Sequence, residues 1–277
     1  MVFSQRSFPQ CGSSQHSLIP LSDSDFDMVG EMARTACGIS LHQGKRALVS
    51  SRLEWLVRVN GFDSFRGYLV FLAQRKTGPE FTEFIDTLTT NHTGFWREPE
   101  HFLFLLKTIL PQHPTRLRVW SAACATGEEP YTIGMCALES GLANCRVVAS
   151  DISRSALNAA VRGSYESARL HDLPAPWHER YFGPLRDGLR GIAPAVRGIV
   201  SFGPLNLMQP FGHIGNFDVI FCRNVMIYFE QQTRDELAAR LAAQLAPGGH
   251  LFTGHSETLL RLPAGLQYVQ PATYRKL

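Results

Sequence analysis

Two adjacent carboxylates, Glu128 and Glu129, and a third at Asp151 lie within one strand–loop–helix–strand stretch, RLRVWSAACATGEEPYTIGMCALESGLANCRVVASD, from Arg116 to Asp151. Leu117, Val119 and Trp120 form a short apolar run, and a loop of small residues follows from Ser121 to Gly127. Glu128, Glu129 and Pro130 have the composition of a helix first turn, with acids at the positive dipole end and a proline whose missing N–H does no harm there. Ile133, Cys136 and Ala137 recur at helical spacing before Gly141, and Val147 to Ala149 form a second strand with Asp151 at its carboxyl end. Such a loop lets a ligand approach the backbone, and an acid about 20 residues further on can bind a ribose diol. The unit therefore points to a nucleoside-containing cofactor. A dinucleotide site would want G-x-G-x-x-G so that a pyrophosphate can press on the backbone. Here SAACATG runs into two carboxylates, which repel phosphate. Acids so placed suit a cationic amino group, such as the methionine end of S-adenosylmethionine; equally, they can merely complement the helix dipole.

The remaining elements must position this unit. The chain has 277 residues, 44% of them hydrophobic and 18% charged, enough to bury one large or two ordinary cores. No apolar run approaches the roughly 18 residues of a membrane helix, and the first twenty residues lack a signal core. The cysteines at 11, 37, 124, 136, 145 and 222 form no C-x-x-C pair and read as reduced thiols of a cytoplasmic protein. A net charge of +3 is too small to indicate nucleic acid. No His/Cys/Asp cluster has metal spacing, so no metal is expected.

A disordered tail is expected over 1–21, a helical domain over 22–91 and a catalytic domain over 92–277. In the helical domain, Ser24 caps a helix that buries Phe26, Val29, Met32 and Ala33 and closes at Gly38. Leu48, Val49, Leu53, Leu56 and Val59 mark a second helix, ended by Asn60-Gly61. Ser64 caps a third with Phe65, Tyr68, Leu69 and Leu72, and Pro79 opens a fourth with Phe81, Phe84, Ile85 and Leu88. A polar loop with two aromatics, TTNHTGFWRE, spans 89–98, and a helix runs from Pro99 to Leu110. Ser153 caps a helix through Arg162, and the Pro- and Gly-rich segment from Tyr165 to Val200 breaks the βα alternation as an insertion. Strands follow at Ile199–Phe202, Phe217–Cys222 and His250–Thr253. Thr233 and Glu236 make a capping box for the helix bearing Leu237, Leu241 and Leu245, which Pro247-Gly248-Gly249 ends. Alternating strands and helices imply an α/β doubly wound, mostly parallel sheet, with ligands beyond the strand carboxyl ends. Asp151, Asn206, Arg223 and Asn224 all fall at such ends.

TTNHTGFWRE, RVWSAACATGEEPYTIGM, ASDIS, FDVIFCRNVMIYF and LAPGGHLFTGHSE resemble, in order and spacing, the chemotaxis-receptor glutamate methyltransferases of the CheR type. The resemblance runs from about residue 22 to the C-terminus. It implies a class I methyltransferase (Rossmann-like) sheet with a small inserted β-subdomain at about 165–200, preceded by a small all-α domain. It also implies an S-adenosylmethionine-dependent enzyme that methylates glutamate carboxylates on the cytoplasmic helical region of chemoreceptors, releasing S-adenosylhomocysteine. A monomer is expected, with neither nucleic acid nor membrane insertion.

By the same resemblance, Asn91, Thr93 and Arg97 belong to a loop over the cofactor, Glu128 to its amino group and Asp151 to its ribose. Asn206-Leu207 and Arg223-Asn224 correspond to adenine-side and strand-end contacts, and Tyr228 to the active-site tyrosine. Singly, Asn91 or Thr93 can cap a turn and Tyr228 can be core. Phe95-Trp96 fits either an aromatic wall around a sulfonium or the domain junction. Arg97 and Tyr228 are the candidates to orient an incoming carboxylate, which is already ionised at neutral pH and needs no general base. Between Arg34 and Lys76 the chain carries eight basic residues against two acids, Glu54 and Asp63. Lys45, Arg46, Arg52 and Arg58 lie on or beside one helix and are expected to dock an acidic substrate helix, although a run like this also serves as an ordinary solvated face. A methyltransferase of another protein or a small molecule, or a non-catalytic cofactor-binding module, are the alternatives. The short connection GPLRDG argues against binding of a receptor C-terminal pentapeptide, which some members perform.

Overall fold

The computed structural model describes residues 18–113, 115–142 and 144–277. Residues 1–17 of the expected tail, with Cys11, lie outside that range. Ile19 and Leu21 are buried in the helical core, so the described chain joins the bundle before residue 22.

Four helices form that bundle: α1 (Asp23–Cys37), α2 (Arg46–Val59), α3 (Phe65–Ala73) and α4 (Pro79–Leu88). Each contributes one apolar stripe to a shared core, including Phe26 and Val29, Leu53 and Leu56, Tyr68 and Leu72, and Phe84 and Ile85. Ser22, rather than Ser24, caps α1 by accepting from the Asp25 N–H, while Ser64 caps α3 through the Gly67 N–H as expected. Leu48 and Val59 do not join the core. The buried positions of α2 are Val49, Leu53, Leu56 and Val57, and Leu48 and Val59 lie off that stripe and are exposed.

The loop from 89 to 98 leads into α5 (Pro99–Phe104), whose last turns loosen into a π-turn and a short 3₁₀ turn. Then come β1 (Leu117–Ala122), α6 (Glu128–Glu139), β2 (Cys145–Asp151) and α7 (Arg154–Arg162), capped by Ser153. The inserted segment contains β3 (Ser164–Glu166), α8 (Ala175–Arg180), β4 (Leu189–Gly191) and α9 (Pro194–Arg197). Its β-structure is an antiparallel ribbon, β3 against β4, flanked by bridges from Phe182 to Ile192 and from Arg186 to Leu189, the latter across a tight turn at Asp187-Gly188 where both residues take positive φ. The chain then returns through β5 (Val200–Pro204), β6 (Phe217–Cys222), α10 (Gln231–Ala243), β7 (Leu245–Thr253), β8 (Leu266–Gln270) and β9 (Thr273–Lys276).

The seven strands are ordered β5-β2-β1-β6-β7-β9-β8, parallel from β5 to β7 and antiparallel through β9 and β8. Successive residues serve opposite faces: Val119, Phe221 and Phe252 pack beneath α5 and α6, while Trp120, Ile220 and Leu251 pack towards α10. Two expectations near the C-terminus change. Helix α10 begins at Gln231 with no side-chain cap, ahead of Thr233, and Pro247-Gly248-Gly249 lies inside β7 rather than at a helix end. The pairing of β6 with β7 shifts register there, and a Cβ on Gly249 would come within 2.9 Å of the Asp218 and Ala246 carbonyls. The β8–β9 hairpin had no counterpart in the sequence reading.

The bundle is fastened to the sheet domain at the end of α1. Gly38 takes φ 76°, and a Cβ there would stand 2.6 Å from Met208 Sδ. Asn206 donates to the Ala36 carbonyl at 2.6 Å, and Ser40 N–H donates to the Tyr228 carbonyl at 2.8 Å. Gly38→Ala combines left-handed strain with a steric conflict, and it should destabilise the protein by about 1–2 kcal/mol. A lower urea midpoint at unchanged slope checks this; an unaltered midpoint would mean that the helix end is not held as described.

Candidate active site

The order in which the chain fills the sheet reverses between the parallel strands β1 and β6, and the loops leaving their carboxyl ends diverge there, the place where open α/β sheets bind ligands. A cavity lies at that point, walled on one side by the strand ends and on the other by α2, the end of α1 and the 89–98 loop. Small residues make the approach: Ala123, Cys124 and Ala125 line it, with Ala123 and Ala125 in the left-handed region at φ 63° and 47°.

Asp151 sits in this wall, 6% exposed, with Oδ2 accepting from the Ala125 N–H at 2.8 Å and Oδ1 from the Ser153 N–H at 2.9 Å. Burial raises its pKa, and these N–H donors oppose the rise. The two adjacent glutamates part company, because successive helical residues point about 100° apart. Glu129 lines the cavity, taking a bond from Ser121 Oγ at 2.7 Å and one from Arg223 Nη1 at 3.0 Å. Glu128 is fully buried behind it, bonded by Thr126 Oγ1 at 2.7 Å and paired with Arg169 of the inserted segment at 2.5 Å. The residue expected beside a cofactor's amino group is thus turned away, and its neighbour takes the facing position. Burial raises the pKa of both, against the pull of Thr126 and Arg169 on Glu128 and of Arg223 and Ser121 on Glu129.

Arg223, at the end of β6, is 5% exposed and joins three elements. Its guanidinium pairs with Glu129 of α6 and at 3.0 Å with Glu98, bonds the Arg97 carbonyl, and lies over the Phe102 ring. Burial pushes the Glu98 carboxyl up, but the Arg223 charge and the Asn224 and Arg223 hydrogen bonds outweigh it and leave its pKa lowered. Asn224, at φ 58°, donates to Glu98 Oε1 at 3.0 Å.

The 89–98 loop brings Asn91, Thr93 and Arg97 into the cavity lining. Asn91 donates to Ser153 Oγ at 3.2 Å, Arg97 to the His92 carbonyl at 2.9 Å, and the Thr93 carbonyl accepts from Arg169 at 3.3 Å. Phe95 and Trp96 do not line the cavity. They pack into the junction with the inserted segment, Phe95 edge-on to Tyr165 and Phe182, and Trp96 against Phe102 and Trp177. Asn206 and Leu207 line the cavity, but both polar ends of Asn206 are occupied, by the Ala36 carbonyl and by the Met208 N–H.

Tyr228 lines the cavity with Lys45 Nζ 5.4 Å from its ring centroid. The four basic residues expected to act together are divided. Lys45 and Arg52 line the cavity, and Arg52 also donates to the Thr89 carbonyl at 3.2 Å. Arg46 instead pairs with Asp23 and bonds the Leu21 carbonyl, and Arg58 pairs with Glu54 at 2.6 Å. The fold also assembles a group that sequence spacing concealed: Glu98, His101 and His255 bring candidate ligand atoms within 4.8 Å of one another. Arg223 already binds that Glu98 carboxylate, so a cation there would meet a guanidinium.

Residues 91–274 match the family described as CheR methyltransferase, SAM binding domain, and residues 24–89 match CheR methyltransferase, all-alpha domain. The chain is 41% identical over 253 residues to the chemotaxis protein methyltransferase of Borreliella burgdorferi, covering 86% of this chain and 89% of that protein. It is 37% identical over 262 residues to chemotaxis protein methyltransferase 1 of Pseudomonas aeruginosa, covering 90% and 95%. With the chemotaxis protein methyltransferase of Escherichia coli it shares 39% over 256 residues, covering 88% and 87%.

The site carries a pH signature. His101 is fully buried, and burial, then the Arg223 charge, pushes its imidazole down to about 3. Its folded pKa thus lies below the unfolded value, so its stabilising contribution is present above about pH 6.5 and is lost as pH falls from there towards 3. Between pH 7 and pH 5 the loss from this one residue should be about 2 kcal/mol. Denaturant unfolding at the two pH values should show that difference in the parent and a smaller one in His101→Gln. Equal pH dependence in both would mean that the imidazole accepts its proton within the fold.

Proposed function

The chain belongs to the CheR methyltransferase family, and from that premise we propose that it methylates glutamate side-chain carboxylates on the cytoplasmic helical region of chemoreceptors. It is an S-adenosylmethionine-dependent methyltransferase. The observation that carries the finer reading is the composition of the cavity, which sets the carboxylates of Asp151 and Glu129 in its inner wall and the cations Lys45 and Arg52 on its bundle side.

The donor set fits the cofactor. Asp151 Oδ1 and Oδ2 each spend one lone pair on a backbone N–H and keep another for a sugar hydroxyl. Glu129 supplies negative charge for an ammonium, and Ile152 and Leu207 supply apolar surface for a base. Asn91, Thr93 and Arg97 hold the loop across the cavity. When bound, S-adenosylmethionine supplies an electrophilic methyl group on a sulfonium.

The protein's own part is binding, alignment and exclusion of water. An acceptor glutamate is already ionised, with a reference pKa of about 4.3, so no side chain need remove a proton. Arg97 by charge and the Tyr228 hydroxyl by a hydrogen bond orient that carboxylate. Lys45 and Arg52 give the approach a positive potential, which favours an acidic helix over a neutral one. Arg46 and Arg58, each held by a local acid, contribute less to that field than the four would as a free row.

The deciding experiment is transfer of labelled methyl to a receptor cytoplasmic fragment, read as base-labile ester. Label that resists base, or none on the fragment, would refute the glutamate assignment. Asp151→Ala should remain folded and bind S-adenosylhomocysteine about 1.5–3 kcal/mol more weakly by calorimetry; parental affinity would remove Asp151 from the site. Lys45→Glu should raise KM for the fragment and flatten its salt dependence without changing cofactor affinity. A parental KM at every ionic strength would make the Lys45 face merely solvated.

A further inference from the structure

The block LFTGHSE at the end of β7 carries a buried acid to which no role has yet been given. Glu257 is 4% exposed, and both of its oxygens accept backbone N–H bonds. Oε2 takes those of Gly254 at 2.6 Å and Asn224 at 2.7 Å, and Oε1 takes that of Ile227 at 3.0 Å. One carboxylate thus clamps its own loop to both ends of the turn that follows β6. That turn contains Asn224, held in the left-handed region, and leads directly to Tyr228.

The fit leaves no slack. A Cβ on Gly254 would stand 2.6 Å from Asn224 Nδ2 and 2.7 Å from Glu257 Oε2, so only glycine lets the two loops meet. Asn224 is gripped from the other side through its side chain by Glu98. Its backbone and side chain are therefore fixed by two different carboxylates, both from outside its own strand. Asparagine tolerates the left-handed region better than other non-glycine residues, but without Glu257 the Asn224 and Ile227 N–H groups would lose their acceptor, which is costly where they are buried.

We propose that Glu257 is a positioning residue for methyl transfer, holding the 224–228 turn so that Asn224 and Tyr228 face the cavity. It touches neither reactant and acts through those two residues, so the inference rests on the reading of Tyr228 above. Its carboxylate form is the active one. Replacing either oxygen with an amide NH₂ would set a donor against an N–H, whereas aspartate keeps the charge but shortens the reach by one methylene.

The test is receptor-fragment methylation by Glu257→Gln, Glu257→Asp, Tyr228→Phe and the double variant Glu257→Gln/Tyr228→Phe, with thermal unfolding and S-adenosylhomocysteine affinity measured on each. Glu257→Gln should unfold cooperatively and lose at least tenfold in kcat with a KM change under twofold, and Glu257→Asp should recover part of that loss. Because part of the effect of Glu257 passes through Tyr228, the loss in the double variant should be smaller than the product of the two single losses. Parental kcat in folded Glu257→Gln, or losses that multiply in the double variant, would overturn the proposal. If Glu257→Gln does not fold, Glu257→Asp decides it: an intermediate kcat supports positioning and a parental kcat refutes it. If Tyr228→Phe turns over like the parent, the reading of the tyrosine fails by itself. The Glu257 inference is then decided through Asn224, by whether Glu257→Gln weakens S-adenosylhomocysteine about tenfold or leaves it unchanged.

Discussion

The guanidinium of Arg223, enclosed between Glu98 and Glu129, is the interaction on which the rest of the site depends. A buried charge is tolerated only when paired and hydrogen-bonded, and removing one partner of such a set typically costs about 3–5 kcal/mol. The three residues come from a loop, a helix and a strand end that are distant in sequence. Satisfying this one cation therefore fixes the relative positions of the 89–98 loop, α6 and the exit of β6. Glu129 is consequently both a wall of the cavity and a structural partner, and its negative charge is shared with Arg223 rather than free.

Around that pair the backbone is held in conformations that non-glycine residues seldom adopt. Trp96, Glu98, Ala123, Ala125 and Asn224 all have positive φ, and all lie in the loops that converge on the cavity. Each such residue costs of order 1–3 kcal/mol and persists only where its surroundings over-determine it. The surroundings do so here. Asp151 holds Ala125, Glu98 and Glu257 hold Asn224, and the ring contacts of Trp96 hold the loop. Loop geometry needed for alignment is thus bought by buried carboxylates acting on backbone N–H groups.

The helical bundle contributes more than a surface. Lys45 and Arg52 reach the cavity, and the bundle is tied to the sheet domain by the bonds of Asn206 and Ser40 and by the close approach at Gly38, where a Cβ would strike Met208. On the opposite side, Arg169 connects the inserted segment to Glu128 and to the Thr93 carbonyl. The loop over the cavity is therefore gripped from both neighbouring substructures, and a disturbance in either can reach it.

Much of this was legible in the sequence, because local chemistry determined it. The apolar periods marked the helices of the bundle and the parallel strands, Ser64 and Ser153 announced their caps, and the small-residue loop and Asp151 at the next strand end, singled out in the sequence, both line the cavity. Tertiary structure alone decided which of two adjacent glutamates faces the cavity, since a helix separates them by 100° and only the long-range partners Arg223 and Arg169 choose between the orientations. It likewise sent Phe95 and Trp96 to the junction, divided Lys45 and Arg52 from Arg46 and Arg58, and delivered Glu257 to a turn about 30 residues earlier in the chain. In each case a side chain's role is set by the partner that neutralises its charge or fills its contact surface. Those partners become neighbours only when the sheet and the bundle close on one another.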